Sequence, residues 1–473
     1  MKEASGNDFP KGLELAAALH VSLFLIGVTW AFGGNADWVR TPISIWGSLG
    51  ILITLASILP GRRHARFRGT LLWSLPLVGL NILVALSCLT PGLRYLSYQG
   101  GSFITGAHVP WWRPSTSDTG LSLSSLWLFD GLYFSSLNIA LLIWRRRVIR
   151  KILGVAAVNA FALSVFGTVQ KLVDANGIYF GSVKSPQTYF FASFVYDNHW
   201  GAFMILMIGS CTGLVLRYSR GSRGGGFFKG PALAGIVAVT IMAITVPFSG
   251  SRACTALLAI LLLVTASRVL PSWIRRVRHD GPESAGTIGV VVAIFVLGAA
   301  GLWYVAGDVI EVRVAKTRDQ VQQMHLQGSP GSRPILYGDT IAMAKARPAF
   351  GWGMGTFPRV FSLFNTQVSP IDHIPVVYHD AHSDWLQSVS EIGLVGTILI
   401  GLGVLLPLRS AFGALSGSIT TSSLTGCALV AAYAWVEFPF GNVAVVLAWW
   451  LTYFAAIQYL RISATILPEG ARR

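Results

Sequence analysis

The side chains best suited to chemistry stand at 379–384, His-Asp-Ala-His-Ser-Asp, just ahead of a long apolar run. Imidazole titrates near neutral pH, so a histidine placed there can accept a proton from an attacking hydroxyl. His382 is the candidate for that role, at the expected start of a helix whose free N–H groups Ser383 and Asp380 can cap. At about 100° per residue, Leu386, Val389, Gly393 and Gly396 fall on the His382 face and Glu391 falls opposite. The plainer reading of the stretch is a capped helix entrance with interfacial His and Trp. A shared metal is the weaker option. His379 and His382 have usable spacing, but zinc takes three or four ligands and no third donor is fixed, so no metal is assigned.

Arg252 sits in Gly250-Ser-Arg between two apolar runs and is the only charged residue from Pro231 to Ser267. An arginine at mid-membrane costs at least ~2.5–3.5 kcal/mol, less near an interface. Snorkelling to outer headgroups would relieve that cost, whereas an anion-binding role between spans would use the charge. Arg333 opens an expected helix, where backbone N–H groups add to its positive potential. Together the two arginines describe a metal-free phosphate site, because a guanidinium is always charged and its planar donor fork fits phosphate oxygens. At ~4 Å and an effective dielectric near ~20, each charge pair is worth about 4 kcal/mol before desolvation. Asp130, Glu391 and Glu437 also lie in or at apolar runs, where charges face a polar cavity or pair with an arginine. Nothing in the sequence assigns a role to any of them.

These groups need a scaffold, and the composition points to one. Of 473 residues 53% are hydrophobic and 12% charged, with mean hydropathy +0.59. A soluble domain carries about twice that charge. Apolar runs near the ~20 residues that cross a bilayer recur at about 13–33, 41–59, 70–90, 121–144, 152–170, 199–217, 231–248, 253–270, 287–307, 389–408, 422–438 and 443–460. They predict an all-α polytopic membrane protein of about 12 transmembrane helices. The first run reaches spanning length without a small-residue cleavage pattern, so a retained span is expected rather than a cleaved leader.

The net charge of +16 is not read as a nucleic-acid signal. Its larger share falls in alternate short loops, Arg145-Arg-Arg-Val-Ile-Arg-Lys151 above all, and marks those loops and both termini as cytoplasmic. The same clusters meet anionic lipid. Segments 91–120, 171–198 and 308–388 then face outward, the last as one long extracytoplasmic loop before the tenth span. Cys88, Cys211, Cys254 and Cys427 stand singly in or beside apolar runs and read as packing residues.

Within the long loop, 308–327 reads as a polar helix. A second helix is expected from Ser332, with Pro334 in its first turn, to a stop before Pro348. Gly351-Trp-Gly-Met-Gly355 has the glycine density of a phosphate loop, but no strand precedes it and no Lys-Ser/Thr follows. Its glycines are better read as a tight backbone path against another element.

Several of these segments together resemble a known family. His382-Ser383 and then Gly393-Leu-Val-Gly396, with Glu391 between them, resemble the His-(Asn/Ser)…Glu-x-Gly-x-x-Gly signature of the O-antigen ligase/polymerase superfamily. These are integral-membrane glycosyltransferases that use polyprenyl-pyrophosphate-linked glycans. Arg333 followed by Arg347-Pro-Ala-Phe-Gly-Trp-Gly-Met-Gly-Thr-Phe357 is similar to the arginine and Pro-x-x-Gly-x-Gly run of that family's loop. Ser251-Arg252 is similar to its Ser-Arg element, and Phe194-Val-Tyr-Asp-Asn-His199 to its Phe-x-x-x-Asn-His segment. Asp197 stands where many relatives have a basic or polar residue.

The resemblance covers about 190–400, a ligase-like core including the loop 308–388, within a single membrane-embedded domain spanning 1–473. It implies transfer of a glycan from a polyprenyl (undecaprenyl) pyrophosphate carrier to an acceptor hydroxyl, on lipid A-core or a glycan, at the outer face of the bacterial inner membrane. It also implies that Arg252 and Arg333 bind the pyrophosphate and that His382 serves the acceptor hydroxyl. Asn198 and His199 would line the donor cavity, His379 and Glu391 would be secondary, and no cofactor or metal would take part. A ligase adding a finished glycan and a polymerase extending one share these residues. A solute transporter also suits twelve spans, although no matched pair of Gly/Pro-interrupted spans marks the two halves.

Overall fold

A computed structural model describes residues 11–61, 64–98, 101–106, 109–187, 189–219, 230–280, 332–368, 374–409 and 417–464. Helices α1 (Lys11–Trp30), α2 (Asp37–Gly61), α3 (Ala65–Leu71), α4 (Leu75–Cys88), α5 (Thr119–Leu142), α6 (Arg146–Leu172), α7 (Asp197–Ser219), α8 (Pro231–Ser249) and α9 (Arg252–Asp280) form the first part. They are followed by α10 (Ser332–Ala346), α11 (Asp384–Arg409), α12 (Ser418–Tyr433) and α13 (Val443–Ala464). Among the described residues 10 helical stretches are long and apolar enough to cross a membrane, α3 and α4 counting as one. The chain is a multi-pass membrane protein.

Where every helix is apolar, burial is decided by which faces let another backbone approach. α13 and α7 form the axis, with 94% and 83% of their apolar windows buried, against 17% for α9. Peripheral helices turn leucines outward, Leu52, Leu55 and Leu59 on α2 among them. α2 crosses α5 where a Cβ on Gly47 would lie 2.9 Å from the Gly131 Cα, and α7 crosses α12 where one on Gly213 would lie 2.8 Å from the Ile419 Cα. Lipid tails offer helices no hydrophobic reason to associate, so such small-residue crossings gain their stability from close dispersion contact.

Two expectations change. The all-α class gains a hairpin, β1 (Leu93–Tyr98) antiparallel to β2 (Gly101–Gly106), in a segment whose Tyr, Phe, Ile and Thr favour strands. The expected span 422–438 is instead α12, 16 residues closing at Tyr433. Beyond it the Ala434 carbonyl accepts from the Asp384 N–H at 2.9 Å and the Val436 carbonyl from Arg333 at 3.1 Å, so neither continues a helix. At ~1.5 Å per residue α12 is about 24 Å long, short of a ~30 Å hydrocarbon core. The expected span 287–307 and polar helix 308–327 lie outside the described residues.

The helix expected from Ser332 is α10, and it ends before Pro348. The glycine run after it takes a tight backbone path. Gly351, Gly353 and Gly355 have φ of 68°, 114° and 73°, and Gly393 inside α11 has φ of 67°. Trp352 and Gly353 N–H groups donate to the Ser390 and Glu391 carbonyls at 3.1 and 2.7 Å. In return, Leu394 and Val395 N–H groups donate to the Pro348 and Ala349 carbonyls at 2.9 and 3.1 Å. The break at Gly393 frees the peptide groups that make this zip. A Cβ on Gly351 would sit 2.3 Å from the Glu391 carbonyl oxygen, and one on Gly393 2.3 Å from that of Ala349. Gly393 is therefore a backbone joint as well as a packing residue.

Candidate active site

The site is built on the turn Trp435-Val-Glu-Phe438, which follows α12. Glu437 is 2% exposed and accepts from three side chains. His382 Nδ1 lies 2.8 Å from its Oε1, Arg333 Nη2 donates to Oε2 at 2.8 Å, and Asn198 Nδ2 donates to Oε2 at 2.9 Å. Arg333 Nη1 also donates to the Val436 carbonyl. The Phe438 ring meets the His382 ring edge-on at 4.7 Å and stacks on Tyr196 at 5.4 Å. His382, Arg333 and Asn198, picked out separately in the sequence, thus share one carboxylate. Glu437 is the residue at the centre of this cluster, and its sequence position alone assigned it no role. Its signal was a lone acid beside an apolar run, the kind that usually has a cationic partner.

His382 stands ahead of α11 with φ of 51°, a left-handed conformation rare outside glycine. The Tyr337 hydroxyl donates to its carbonyl at 3.0 Å and helps hold it there. The cap expected of Ser383 is present, its Oγ accepting from the Leu386 N–H at 3.4 Å. An ionised carboxylate can only accept, so Nδ1 is the donor to Glu437, which leaves Nε2 as the nitrogen that can face a substrate. The His382 side chain is 29% exposed and that of Arg333 49%, so both border open space while Glu437 does not.

Arg252 is exposed and is the first residue of α9. Gly250, with φ of 95°, ends α8, and Ser251 caps α9 by accepting from the Cys254 N–H at 3.3 Å. The Ser251 hydroxyl also donates to Asn198 Oδ1. Asn198, half-buried, therefore ties the start of α9 to Glu437. His199 is 2% exposed, with Nε2 donating to the Phe438 carbonyl at 3.1 Å, and it supports the turn from beneath. His379 is exposed and next to Asp380.

Glu391 takes its partners from the glycine run and its own helix. Its carboxylate accepts from the Gly355 and Phe357 N–H groups at 2.7 and 3.1 Å and from Gln387 at 3.2 Å, which clamps the glycine run to α11. Arg347 is also an anchor, donating to Ser115 and to the Val109 carbonyl with its guanidinium 4.7 Å from the Trp352 ring centre.

Burial pushes the Glu437 carboxyl up, but its bond to His382 and the charge of Arg333 outweigh this and hold it below the ordinary carboxylate range. Burial raises Asp380, against the pull of His382. Burial also raises the Tyr196 phenol, reinforced by the Glu437 charge. The result is a fixed negative charge under a histidine and an arginine, a pattern suited to proton transfer beside an anion.

The fold and this site define a multi-pass helical membrane protein with a charged, partly open centre at one end of its bundle. Residues 237–401 match the family model described as O-Antigen ligase, which supports the O-antigen ligase/polymerase superfamily as the class of membrane enzyme. The matched stretch contains Arg252, Arg333, His382 and Glu391 and ends before Glu437. No curated protein matches the chain.

Proposed function

We propose that the protein transfers a glycan from a polyprenyl-pyrophosphate carrier to an acceptor hydroxyl at the outer face of the inner membrane. The observation that supports this best is the pairing of His382 and Arg333 on the Glu437 carboxylate, which puts an imidazole beside a phosphate-suited guanidinium. His382 Nε2 takes the proton of the acceptor hydroxyl as its oxygen bonds to the anomeric carbon of the donor. The bond from that carbon to the phosphate oxygen breaks, and its electron pair leaves on the polyprenyl pyrophosphate. Arg252 and Arg333 offset the charge that develops there, and Glu437 balances the imidazolium.

The test is transfer by purified protein in proteoliposomes given an undecaprenyl-pyrophosphate-linked glycan and a hydroxyl acceptor. His382→Asn, which tolerates a left-handed backbone, is expected to lose roughly 10²-fold in rate, and Arg252→Lys and Arg333→Lys at least ~10-fold. Wild-type rates in these variants, normally inserted, would end the proposal. In a deletion strain, loss of all capped lipid A-core marks a ligase, and capping by single units marks a polymerase.

A further inference from the structure

We infer that the Trp435 indole, stacked on Trp385, is a platform for the sugar ring bonded to the donor's pyrophosphate. This rests on the reading above, which puts phosphate at Arg333. Trp435 is 65% exposed, a large apolar ring left uncovered in the turn that builds the site. Its ring lies 6.0 Å from that of Trp385 with 30° between planes. Trp385 is anchored through Nε1–H to the Ala431 carbonyl at 3.0 Å. The turn is held on both sides of Trp435, through the Ala434 carbonyl by the Asp384 N–H and through the Val436 carbonyl by Arg333. A ring on so constrained a backbone binds a partner with little further loss of freedom.

Its position selects the ligand. Trp435 adjoins the residue whose carbonyl Arg333 holds, with Cα atoms of neighbours ~3.8 Å apart, and Trp385 follows His382 by three residues. The pair therefore stands on the same turn and the same helix start that carry the carbonyl held by Arg333 and the His382 side chain. A pyranose attached to that phosphate lies within a ring's width of it and presents an apolar C–H face, for which a flat indole is a complementary surface. A headgroup-level anchor is the other use of an exposed tryptophan. An anchor would serve the bare lipid carrier and the sugar-bearing one alike, whereas a platform distinguishes them.

The experiment titrates the full-length protein in lipid nanodiscs with two probes, undecaprenyl pyrophosphate carrying one hexose and undecaprenyl pyrophosphate alone. Trp435→Ala is expected to weaken binding of the hexose-bearing lipid about tenfold and of the bare lipid less than about twofold, with Trp435→Tyr keeping most of the affinity. Equal loss on both lipids makes the indole an anchor and overturns the platform, as does no loss on either. Failure of the wild-type protein to bind either probe overturns the donor reading and the platform with it. If the wild type binds both, His382→Asn abolishes transfer and Trp435→Ala changes nothing, the platform alone fails.

Discussion

The two oxygens of Glu437 accept from His382, Arg333 and Asn198, so a change at this one residue reaches a histidine, an arginine and the start of α9 together. Glu437→Gln keeps the shape but offers one acceptor oxygen and no charge. We expect correct insertion and a rate lower by roughly 10²-fold in the transfer assay, with partial rescue by Glu437→Asp. Glu437→Ala also leaves cations beside an empty space and should lower stability by about 2 kcal/mol, less than a fully buried pair because Arg333 is half exposed. The carboxyl is held below its ordinary value near 4.5. The folded state therefore binds that proton more weakly than the unfolded one, and the stabilisation is full above about pH 4.5 and lost as pH falls through the lower folded value. The melting-temperature gap between wild type and Glu437→Gln should be present at pH 7 and narrow as pH falls below about 4.5.

At the scale of elements, the zip between 348–355 and 390–395 decides where His382 stands, because α11 begins two residues after it. Gly351→Ala and Gly393→Ala each place a Cβ 2.3 Å from a backbone carbonyl oxygen at positive φ. Each should destabilise by at least ~2 kcal/mol, seen as lower folded yield and lower melting temperature in detergent. Glu391→Gln retains acceptor capacity for part of the clamp. It should lower thermal stability while leaving the pH profile of the remaining activity unchanged, whereas a chemical role would shift that profile.

At the scale of the molecule, the prediction concerns sidedness. The segments reaching the site are 194–199, 250–252, 332–333, 378–384 and 434–442, and charge bias leads us to expect the outer side for 194–198, 332–333 and 378–384. Val377 is 75% exposed on the approach to His382, and Arg409 is exposed at the far end of α11. With Cys88 replaced by serine, a membrane-impermeant maleimide should label Val377→Cys in intact spheroplasts and Arg409→Cys only after permeabilisation. The reverse pattern would place the site in the cytoplasm.

Hydropathy and charge are read along the chain, so the sequence by itself determined the membrane class, most span positions, the α10 boundaries and the histidine and arginines with chemical promise. The glycine run was legible as a tight path but its partner was not. What only the tertiary structure decided is which groups meet. Glu437 lies 55 residues from His382 and 104 from Arg333, and no local pattern couples such distances. Apolar content extended a span through 422–438, but α12 stops at Tyr433 because the next carbonyls find partners on α10 and α11. A hydrogen bond is made or lost over a few tenths of an ångström near 3 Å. That precision comes from packed helices, which is why Asn198 and His199 became supports, Glu391 a clamp, and Glu437 the centre of the site.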